Sequence, residues 1–405
     1  MLDTAKEYFD YRTMVLIVAL VVIGLMSIYS ATYDAGLSDL AFKQLLWAIG
    51  GAAVLLTMAF LPFKVLQFIA YPSYFLSILA LIAVLVLGKT VSGSQSWFSI
   101  GPLRFQPSEF AKVATALALA AYLSRSDVSL RSFRYFIIAS GFLLLPVVLI
   151  MFEPDTGTAI IYVAMFIVVL YWGGVSKFTL VAIGAPLITV IAALFGTTWF
   201  LIAVVTLGLI IYVTKEHRLA AAIVFSVMVL LGISVQQIRD GLKPYQQKRL
   251  ETFLDPTAYP RGAGYNVLQA KVAIGSGGLL GKGYLQGTQT QLNFVPEQWT
   301  DFIFCVPGEE FGFIGATIVL LLFMMLLLRG VYIASIMKNR FGDILAVSVT
   351  GIFASHVFIN IGMALGLLPV IGVPLPFLSY GGSALVTNMA MAGILMNLYA
   401  NRKQY

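Results

Sequence analysis

Charged residues are scarce in this chain of 405 residues: they make up 11% of it, against 60% for apolar residues. Soluble domains usually carry about 25% charged and about 45–50% apolar residues. A charged side chain at the centre of a bilayer costs roughly 2.5–3.5 kcal/mol, so a membrane-embedded chain contains few of them. The composition therefore excludes an ordinary soluble protein and predicts an all-α, polytopic transmembrane helical bundle.

Cysteine and histidine are almost absent. The single cysteine, Cys305, excludes an intrachain disulfide and a cysteine-based zinc site. The two histidines, His217 and His356, cannot form a histidine-rich metal site. A net charge of +7 could indicate nucleic acid, but lysine and arginine also collect in the cytoplasmic loops of membrane proteins. We therefore expect a membrane protein with no nucleic acid partner.

Long apolar segments fill most of the sequence. A transmembrane helix needs about 20 mostly apolar residues. The first segment is longer than the apolar core of a cleaved signal peptide, which is usually about 7–15 residues, so we interpret it as a span. The sequence predicts twelve spans, near residues 13–33, 44–61, 71–88, 108–123, 135–152, 158–173, 178–195, 198–214, 219–237, 303–328, 344–367 and 379–400.

Lysine and arginine are distributed unevenly between the predicted loops. If both termini lie in the cytoplasm, the short outer loops hold only Lys43, Lys89 and Arg104. Because positive residues accumulate on the cytoplasmic side, this threading is favoured. It places residues 238–302 outside as one large extracytoplasmic loop, and long loops are usually functional. The residues on the cytoplasmic side are then Lys6, Arg12, Lys64, Arg125, Arg131, Arg134, Lys177, Lys215, Arg218, Arg329, Lys338, Arg340, Arg402 and Lys403.

An amphipathic helix is predicted over 265–274, within the long loop. Val267, Leu268 and Val272 fall on one side of it, and Lys271 falls opposite. Such a helix could lie on the membrane surface.

A glycine-rich run, Gly275 to Gly283, follows this helix. It lacks P-loop spacing, because Ser276 replaces the first glycine and Gly283 replaces the serine or threonine. Glycine-rich backbone can still approach a phosphate closely, and Lys282 could supply positive charge there. A phosphate contact outside P-loop chemistry therefore stays open for this run.

Glu109 and Lys112 are ionisable residues in the fourth predicted span. They are three residues apart, so they share one face of a helix and can pair. One interpretation is an interfacial pair that reaches toward water. Ionisable residues inside a membrane usually mark function, which is the interpretation that we favour.

Two further polar pairs lie in later spans. Glu309 and Glu310 are adjacent in the tenth, so they point about 100° apart on a helix. At least one of them should then face a polar cavity or a cation. His356 and Asn360 are four residues apart in the eleventh span, which favours hydrogen bonds between helices.

The outer loop also contains the carboxylates Asp255, Glu297 and Asp301. Carboxylates beside basic residues can activate a hydroxyl while an anionic leaving group is neutralised. They can also form ordinary solvated salt bridges, which are commoner. Composition leaves both interpretations open. The basic residues near these carboxylates in the sequence are Arg249, Arg261, Lys271 and Lys282.

Four segments resemble the SEDS family of bacterial cell-wall proteins, which is named for shape, elongation, division and sporulation. The GKG motif at 281–283 and the GTQ motif at 287–289 are more similar to the elongation member than to the division member. The segments are WFSIGPLRFQPSEFAK at 97–112, RLETFLDPTAYPRGAGY at 249–265, 273–304 with its FVPE motif, and 360–383 with its SYGGS motif.

The resemblance implies one integral membrane domain over 1–405 in the bacterial cytoplasmic membrane. It implies a peptidoglycan glycosyltransferase that polymerises lipid II into glycan strands on the outer face, for cell-wall elongation and rod shape. The partners that it implies are lipid II, the nascent strand, membrane lipids and a class B penicillin-binding protein that cross-links the strands. A divalent cation, Mg²⁺ or Mn²⁺, is also implied, at a site that the sequence does not identify.

The resemblance also implies roles for single residues. The family's essential aspartate matches Asp255, which we expect to accept the proton of the attacking sugar hydroxyl in an inverting transfer. The acidic–basic pair of the family's fourth span matches Glu109 and Lys112. Further supporting residues are Glu297, Asp301 and Glu310, and the candidate cations for the diphosphate leaving group are Arg104, Arg249, Lys271 and Lys282.

This chain departs from the family in its number of spans. Members usually have ten, with one span before the large outer loop where this sequence predicts three. We therefore interpret 196–237 as an inserted transmembrane hairpin. Two added spans keep the outer loop on the same side of the membrane.

Two other function classes stay open. A transporter that moves lipid-linked precursor across the membrane would suit the Gly- and Pro-interrupted stretch from Gly366 to Gly382. A non-catalytic scaffold for a penicillin-binding protein is the other. Formation of glycan polymer by the purified protein would separate the enzyme from both.

Overall fold

The computed structural model describes residues 9–34, 36–37, 39–91, 94–100, 103–194, 196–215, 218–235 and 263–403. The chain divides into two compact units, Met1–Val169 with Tyr265–Tyr405, and Leu170–Gly264. In chain order the helices of the described residues are α1 (Tyr11–Tyr33), α2 (Asp39–Phe60), α3 (Phe63–Leu87), α4 (Pro107–Leu123), α5 (Phe133–Phe152), α6 (Thr156–Trp172), α7 (Lys177–Leu194), α8 (Thr197–Thr214), α9 (Arg218–Ile233), α10 (Ala263–Ser276), α11 (Thr288–Gln291), α12 (Cys305–Glu310), α13 (Gly312–Ile336), α14 (Arg340–Ala364) and α15 (Gly382–Asn401).

Eleven of the twelve predicted spans each coincide with one of these helices, so the all-α polytopic fold is confirmed. Within the described residues, eight helices are long and apolar enough to cross a membrane, and α6, α7 and α9 are apolar but shorter. Helix α4 has 17 residues and carries Glu109 and Lys112. Helix α14 is the most buried of the eight, with 83% of its apolar window inside the protein. It therefore forms the centre of the first unit.

The tenth span differs from its prediction. Instead of one helix from residue 303, the chain forms the short helix α12 and restarts as α13 at Gly312, whose φ is +63°. The amide of Phe313 then donates to the carbonyl of Gly278 at 2.8 Å, not to the preceding turn. The prediction of a continuous span was wrong because a neighbouring segment satisfies the first backbone amides of α13.

That neighbouring segment is the glycine-rich run. A β-carbon at Gly277 would clash with the carbonyl oxygen of Gly308, and one at Gly281 would clash with that of Glu310. Gly281 also has a φ of +80°, which favours glycine. The run therefore packs backbone against backbone on α12, which accounts for Gly277 and Gly281 without a phosphate.

A three-stranded antiparallel sheet between α3 and α4 was not predicted. Its strands are β1 (Lys89–Val91), β2 (Ser94–Ile100) and β3 (Leu103–Phe105), in the order β1-β2-β3. Phe98 pairs with Phe105, and Ser99 pairs with Arg104. The sheet thus holds Arg104 just before the first turn of α4.

Helix α10 confirms the predicted amphipathic helix, but with a different buried face. Val267, Ala270 and Ala273 are buried, whereas Val272 is 49% exposed. Val267 and Lys271 both lie beside Gly366. The prediction that Lys271 falls opposite Val267 was wrong, because residues four apart share one face of a helix.

The second unit contains α7, α8 and α9. They share a core of Ala185, Ile211, Ala221 and Met228. Helices α8 and α9 supply the two helices that the sequence predicts for the hairpin at 196–237. That this hairpin is an insertion stays a prediction.

We predict that Lys215 and Gln286 lie on opposite sides of the membrane, because the charge distribution places 215–218 in the cytoplasm and 238–302 outside. Cysteines at these two positions should react with a membrane-impermeant maleimide from opposite sides. The native Cys305 gives little background, because it is fully buried and burial raises the pKa of its thiol. Labelling of both positions from the same side of intact cells would contradict this topology.

Candidate active site

Glu109, Lys112 and His356 form a buried hydrogen-bonded chain between α4 and α14. Lys112 Nζ lies 2.8 Å from Glu109 Oε1 and 2.9 Å from His356 Nε2. Because an ammonium group only donates, Nε2 accepts, and Nδ1 carries the proton that it donates to Pro374 O at 2.9 Å. The Lys112 and Glu109 side chains are 1% and 4% exposed. The predicted pairing is confirmed, and His356 extends it beyond α14.

Residues 365–381 join α14 to α15 and are named here the α14–α15 connection. They are not helical, as the glycines and prolines of this stretch predict. Asn360 Nδ2 donates to Asp301 O at 2.9 Å, and Ser379 Oγ donates to Thr300 O at 2.6 Å. The connection is therefore tied to the segment that precedes α12.

Asp301 is half-buried where these two segments meet. Burial raises its pKa to about 6, and the charge of Glu297 adds to the rise. Within the described residues, no hydrogen bond reaches the Asp301 carboxylate. A β-carbon at Gly372 would lie 3.5 Å from Asp301 Oδ2, so the α14–α15 connection runs directly beside this carboxylate.

Arg104 and Lys271 both lie beside the α14–α15 connection. Burial raises the pKa of Tyr380, and the positive charge of Arg104 opposes that rise. The aliphatic part of the Lys271 side chain packs over Gly366, and a β-carbon added at Gly366 would lie 2.8 Å from Lys271 Nζ. Both basic side chains are exposed, and in the described part of the chain neither has an acidic partner. They are therefore available to an anion.

Lys282 is in a different situation, because Glu309 neutralises it. Its Nζ lies 2.7 Å from Glu309 Oε1. It also donates to Ser276 Oγ at 2.7 Å and to Thr288 Oγ1 at 2.6 Å. Burial alone would raise the pKa of Glu309, but hydrogen bonds from the Gln289 amide and from Lys282 hold it below its ordinary value. The pair fastens the glycine-rich run to α12.

Glu310 faces α1 and has its own partners. Its Oε1 accepts hydrogen bonds from Ser30 Oγ and, at 3.1 Å, from the Leu285 amide. Burial raises the pKa of Glu310. The two adjacent glutamates therefore point at different partners, a cation for Glu309 and hydrogen-bond donors for Glu310, as their spacing predicts.

The structure thus gathers part of the predicted site. Asp301, Arg104 and Lys271 adjoin the α14–α15 connection, and Glu297 acts on Asp301, whereas Lys282 and Glu310 are held by partners of their own. Residues 236–262 lie outside the described residues. The predicted base Asp255 and the basic residues Arg249 and Arg261 fall in that range.

Sequence analysis missed two carboxylates between α5 and α6. Glu153 is buried, and its burial, with the charge of Asp155, raises its pKa to about 8. Asp155 accepts hydrogen bonds from the Thr158 amide at 3.0 Å and from Gln106 Nε2 at 3.1 Å. Aspartate is a frequent helix N-cap, so the start of α6 could have indicated Asp155. No sequence pattern indicates the burial of Glu153.

The fold and the site define a polytopic membrane protein in which a buried acid–base chain supports the α14–α15 connection, with the exposed cations Arg104 and Lys271 beside it. The family model for FtsW, RodA and SpoVE, described as cell cycle protein, matches residues 11–197 and 188–404. The chain belongs to this family, which confirms the resemblance seen in the four sequence segments.

Curated relatives match over nearly their whole length. The peptidoglycan glycosyltransferase MrdB of Escherichia coli is 36% identical over 399 residues, which cover 98% of this chain and 95% of that protein. The peptidoglycan glycosyltransferase RodA of Treponema pallidum is 34% identical over 434 residues, which cover 97% of this chain and 98% of that protein.

Solved structures match as well. A chain of a peptidoglycan synthase complex, studied for its coordination of polymerization and crosslinking, has a TM-score of 0.75 at 28% identity, with 98% of this chain and 99% of that chain covered. The rod shape determining protein RodA of Thermus thermophilus has a TM-score of 0.65 at 26% identity, with 98% of each chain covered.

We predict that Glu109→Ala and Lys112→Ala each lower the free energy of unfolding by about 3–5 kcal/mol, because each leaves a buried charge without its partner. The double variant should lose less than the sum of the two. Thermal or denaturant unfolding in detergent measures all three. Arg125→Ala is the matched control, because its pair with Asp127 is exposed and should contribute less than about 1 kcal/mol. Strict additivity of the two buried changes would contradict the coupling.

We predict that Asp301→Asn raises Tm at pH 8 more than at pH 4. The folded-state pKa of Asp301 lies above that of the unfolded chain, so its contribution to stability is full at low pH and is lost as the pH rises through about 6. Asparagine does not ionise, so the variant keeps its stability at pH 8, where the wild type has lost the contribution of Asp301. Asp127→Asn should behave oppositely, because the hydrogen bond from Arg125 lowers the pKa of Asp127. A pH-independent effect of Asp301→Asn on Tm would contradict the raised pKa.

Proposed function

We propose that this protein is an inverting peptidoglycan glycosyltransferase that polymerises lipid II into glycan strands. The observation that carries the proposal is its similarity, over 98% of the chain, to a protein named for that activity. The cations beside the α14–α15 connection support it, because a polyprenyl diphosphate leaving group needs positive charge. The transporter and scaffold alternatives have no comparable support among the relatives.

The transfer requires a proton acceptor and a neutralised leaving group. We assign the acceptor to Asp255, which takes a proton from the attacking GlcNAc 4-hydroxyl as it bonds to the anomeric carbon of the lipid-linked MurNAc. Arg104 and Lys271 are the preferred diphosphate contacts, because both are exposed and neither has an acidic partner among the described residues. Arg249 is a further candidate. Lys282 is better suited to positioning, since Glu309 already neutralises it.

The remaining supporting residues act around these groups. Glu109 and Lys112 hold α4 against α14 and, through His356, fix one point of the α14–α15 connection. Asp301 adjoins the same connection from the segment before α12. Movement of either segment would therefore displace the groups proposed to meet the substrate.

A divalent cation, Mg²⁺ or Mn²⁺, forms part of the proposal. Among the described residues, no group of three or more His, Cys, Asp or Glu side chains could hold a metal ion. The Asp301 carboxylate nevertheless fits the role, because it is desolvated, receives no hydrogen bond there, and has the oxygen donors that hard cations prefer. Glu297 and Asp255 could complete the set. When bound, such an ion would help to neutralise the diphosphate.

The proposed setting is the bacterial cytoplasmic membrane, with both termini in the cytoplasm and the active site on the outer face. The excess of lysine and arginine in the predicted cytoplasmic loops supports this orientation.

The proposed partner is a class B penicillin-binding protein, in line with the structural neighbour that belongs to a peptidoglycan synthase complex. Identities of 34–36% to MrdB and RodA, against 30–31% to FtsW proteins, favour a role in elongation.

We predict that Asp255→Asn abolishes glycan polymerisation while leaving expression and Tm nearly unchanged, because asparagine keeps the shape but can neither accept the proton nor carry the charge. The assay is polymer yield from purified protein with lipid II and a divalent cation, without ATP. Asp127→Asn is the matched control, since Asp127 is exposed and lies in another loop. Wild-type yield from Asp255→Asn would refute the assignment; lipid movement without polymer from the wild type would favour a transporter.

A further inference from the structure

A groove of about 720 Å³ opens between the first turns of α1 and the C-terminal half of α13. The two helices run in opposite directions there, so Arg12 and Arg329 lie at the same end of the bundle. The charge distribution of the sequence predicts that this end is cytoplasmic. The groove, named here the arginine groove, is lined by Arg12, Val15, Leu16, Met325, Leu328 and Arg329.

Arg329 is a fixed part of the wall. Its Nη2 and Nε donate to the two Asp10 carboxylate oxygens at 2.9 and 3.2 Å. Its guanidinium lies 4.4 Å from the centre of the Tyr399 ring and 5.0 Å from that of Tyr332. Only 10% of the side chain is exposed. Asp10 therefore neutralises Arg329 and holds it in one position.

Arg12 is the second cation of the groove. It is exposed, and among the described residues it has no acidic partner. Among the described residues that line the groove, Arg12 and Arg329 carry charge, and Asp10 compensates only Arg329. Val15 and Leu16 lie one turn further along α1, so apolar walls follow directly behind the cationic mouth.

We propose that the arginine groove binds an anionic phospholipid, with its phosphate at Arg12 and an acyl chain along the apolar wall. Guanidinium groups match phosphate geometry with paired hydrogen bonds. Basic pockets between transmembrane helices at the cytoplasmic side are typical sites for anionic lipid headgroups. A free phosphate would use the mouth but not the apolar wall, whereas a phospholipid uses both. Tyr11 and Tyr332, which also line the groove, are residues typical of the membrane interface.

The test is native mass spectrometry of the full chain in detergent with phosphatidylglycerol or phosphatidylcholine. The wild type should retain phosphatidylglycerol preferentially, and Arg12→Gln should weaken that retention about fivefold. Arg134→Gln is the matched control: it removes the same charge from an exposed arginine at the start of α5, outside the groove. Val15→Trp, at a position 65% exposed, should fill the groove and lower retention without loss of charge.

Tm measurements separate a lipid site from a free anion site. Phosphatidylglycerol should raise the Tm of the wild type and of Arg134→Gln, but not that of Arg12→Gln. Inorganic phosphate should leave the Tm of all three unchanged. Equal lipid retention by Arg12→Gln and the wild type, or an equal loss in Arg134→Gln, would overturn the proposal. So would a rise in Tm with phosphate alone that matches the rise with phosphatidylglycerol.

Discussion

The buried charge of Lys112 is the constraint on which much of the first unit depends. A lysine ammonium among membrane helices has no water to solvate it, so protein groups must replace the water. Glu109 supplies the opposite charge from the same helix, and His356 supplies an acceptor from α14. Because the imidazole must accept on one side, its other nitrogen donates to Pro374. One buried charge thereby fixes α4, α14 and a point on the α14–α15 connection together.

Backbone packing supports the polar side of the same unit in a different way. The glycine-rich run approaches α12 more closely than any side chain would allow, and the Lys282–Glu309 pair fastens it there. Glu309 lies next to Glu310, which is joined to α1 through Ser30. The break between α12 and α13 therefore directly follows the two glutamates that hold the glycine-rich run and α1. Among the described residues, Arg104 and Lys271 have no acidic partner beside the α14–α15 connection.

Arginine is used in two ways in the first unit. Arg104 stands on a small sheet just before α4, beside the connection to which we assign substrate binding. Arg12 and Arg329 stand at the opposite end of the transmembrane path in the predicted topology, beside an apolar groove. Arg329 is neutralised by Asp10, whereas Arg12 and Arg104 have no acidic partner among the described residues. Freedom from a partner, more than exposure alone, separates candidate binding cations from structural ones.

The sequence by itself determined the helical membrane fold, the positions of eleven of the twelve predicted helices and the Glu109–Lys112 pair, because hydrophobicity and helical spacing are local properties. It could not determine the break before α13, the sheet that carries Arg104 or the burial of Glu153. Those features depend on which segments meet across long stretches of chain. Only the tertiary structure decided that Glu309 neutralises Lys282 while Lys271 has no acidic partner among the described residues, because the availability of a charge depends on its neighbours in space.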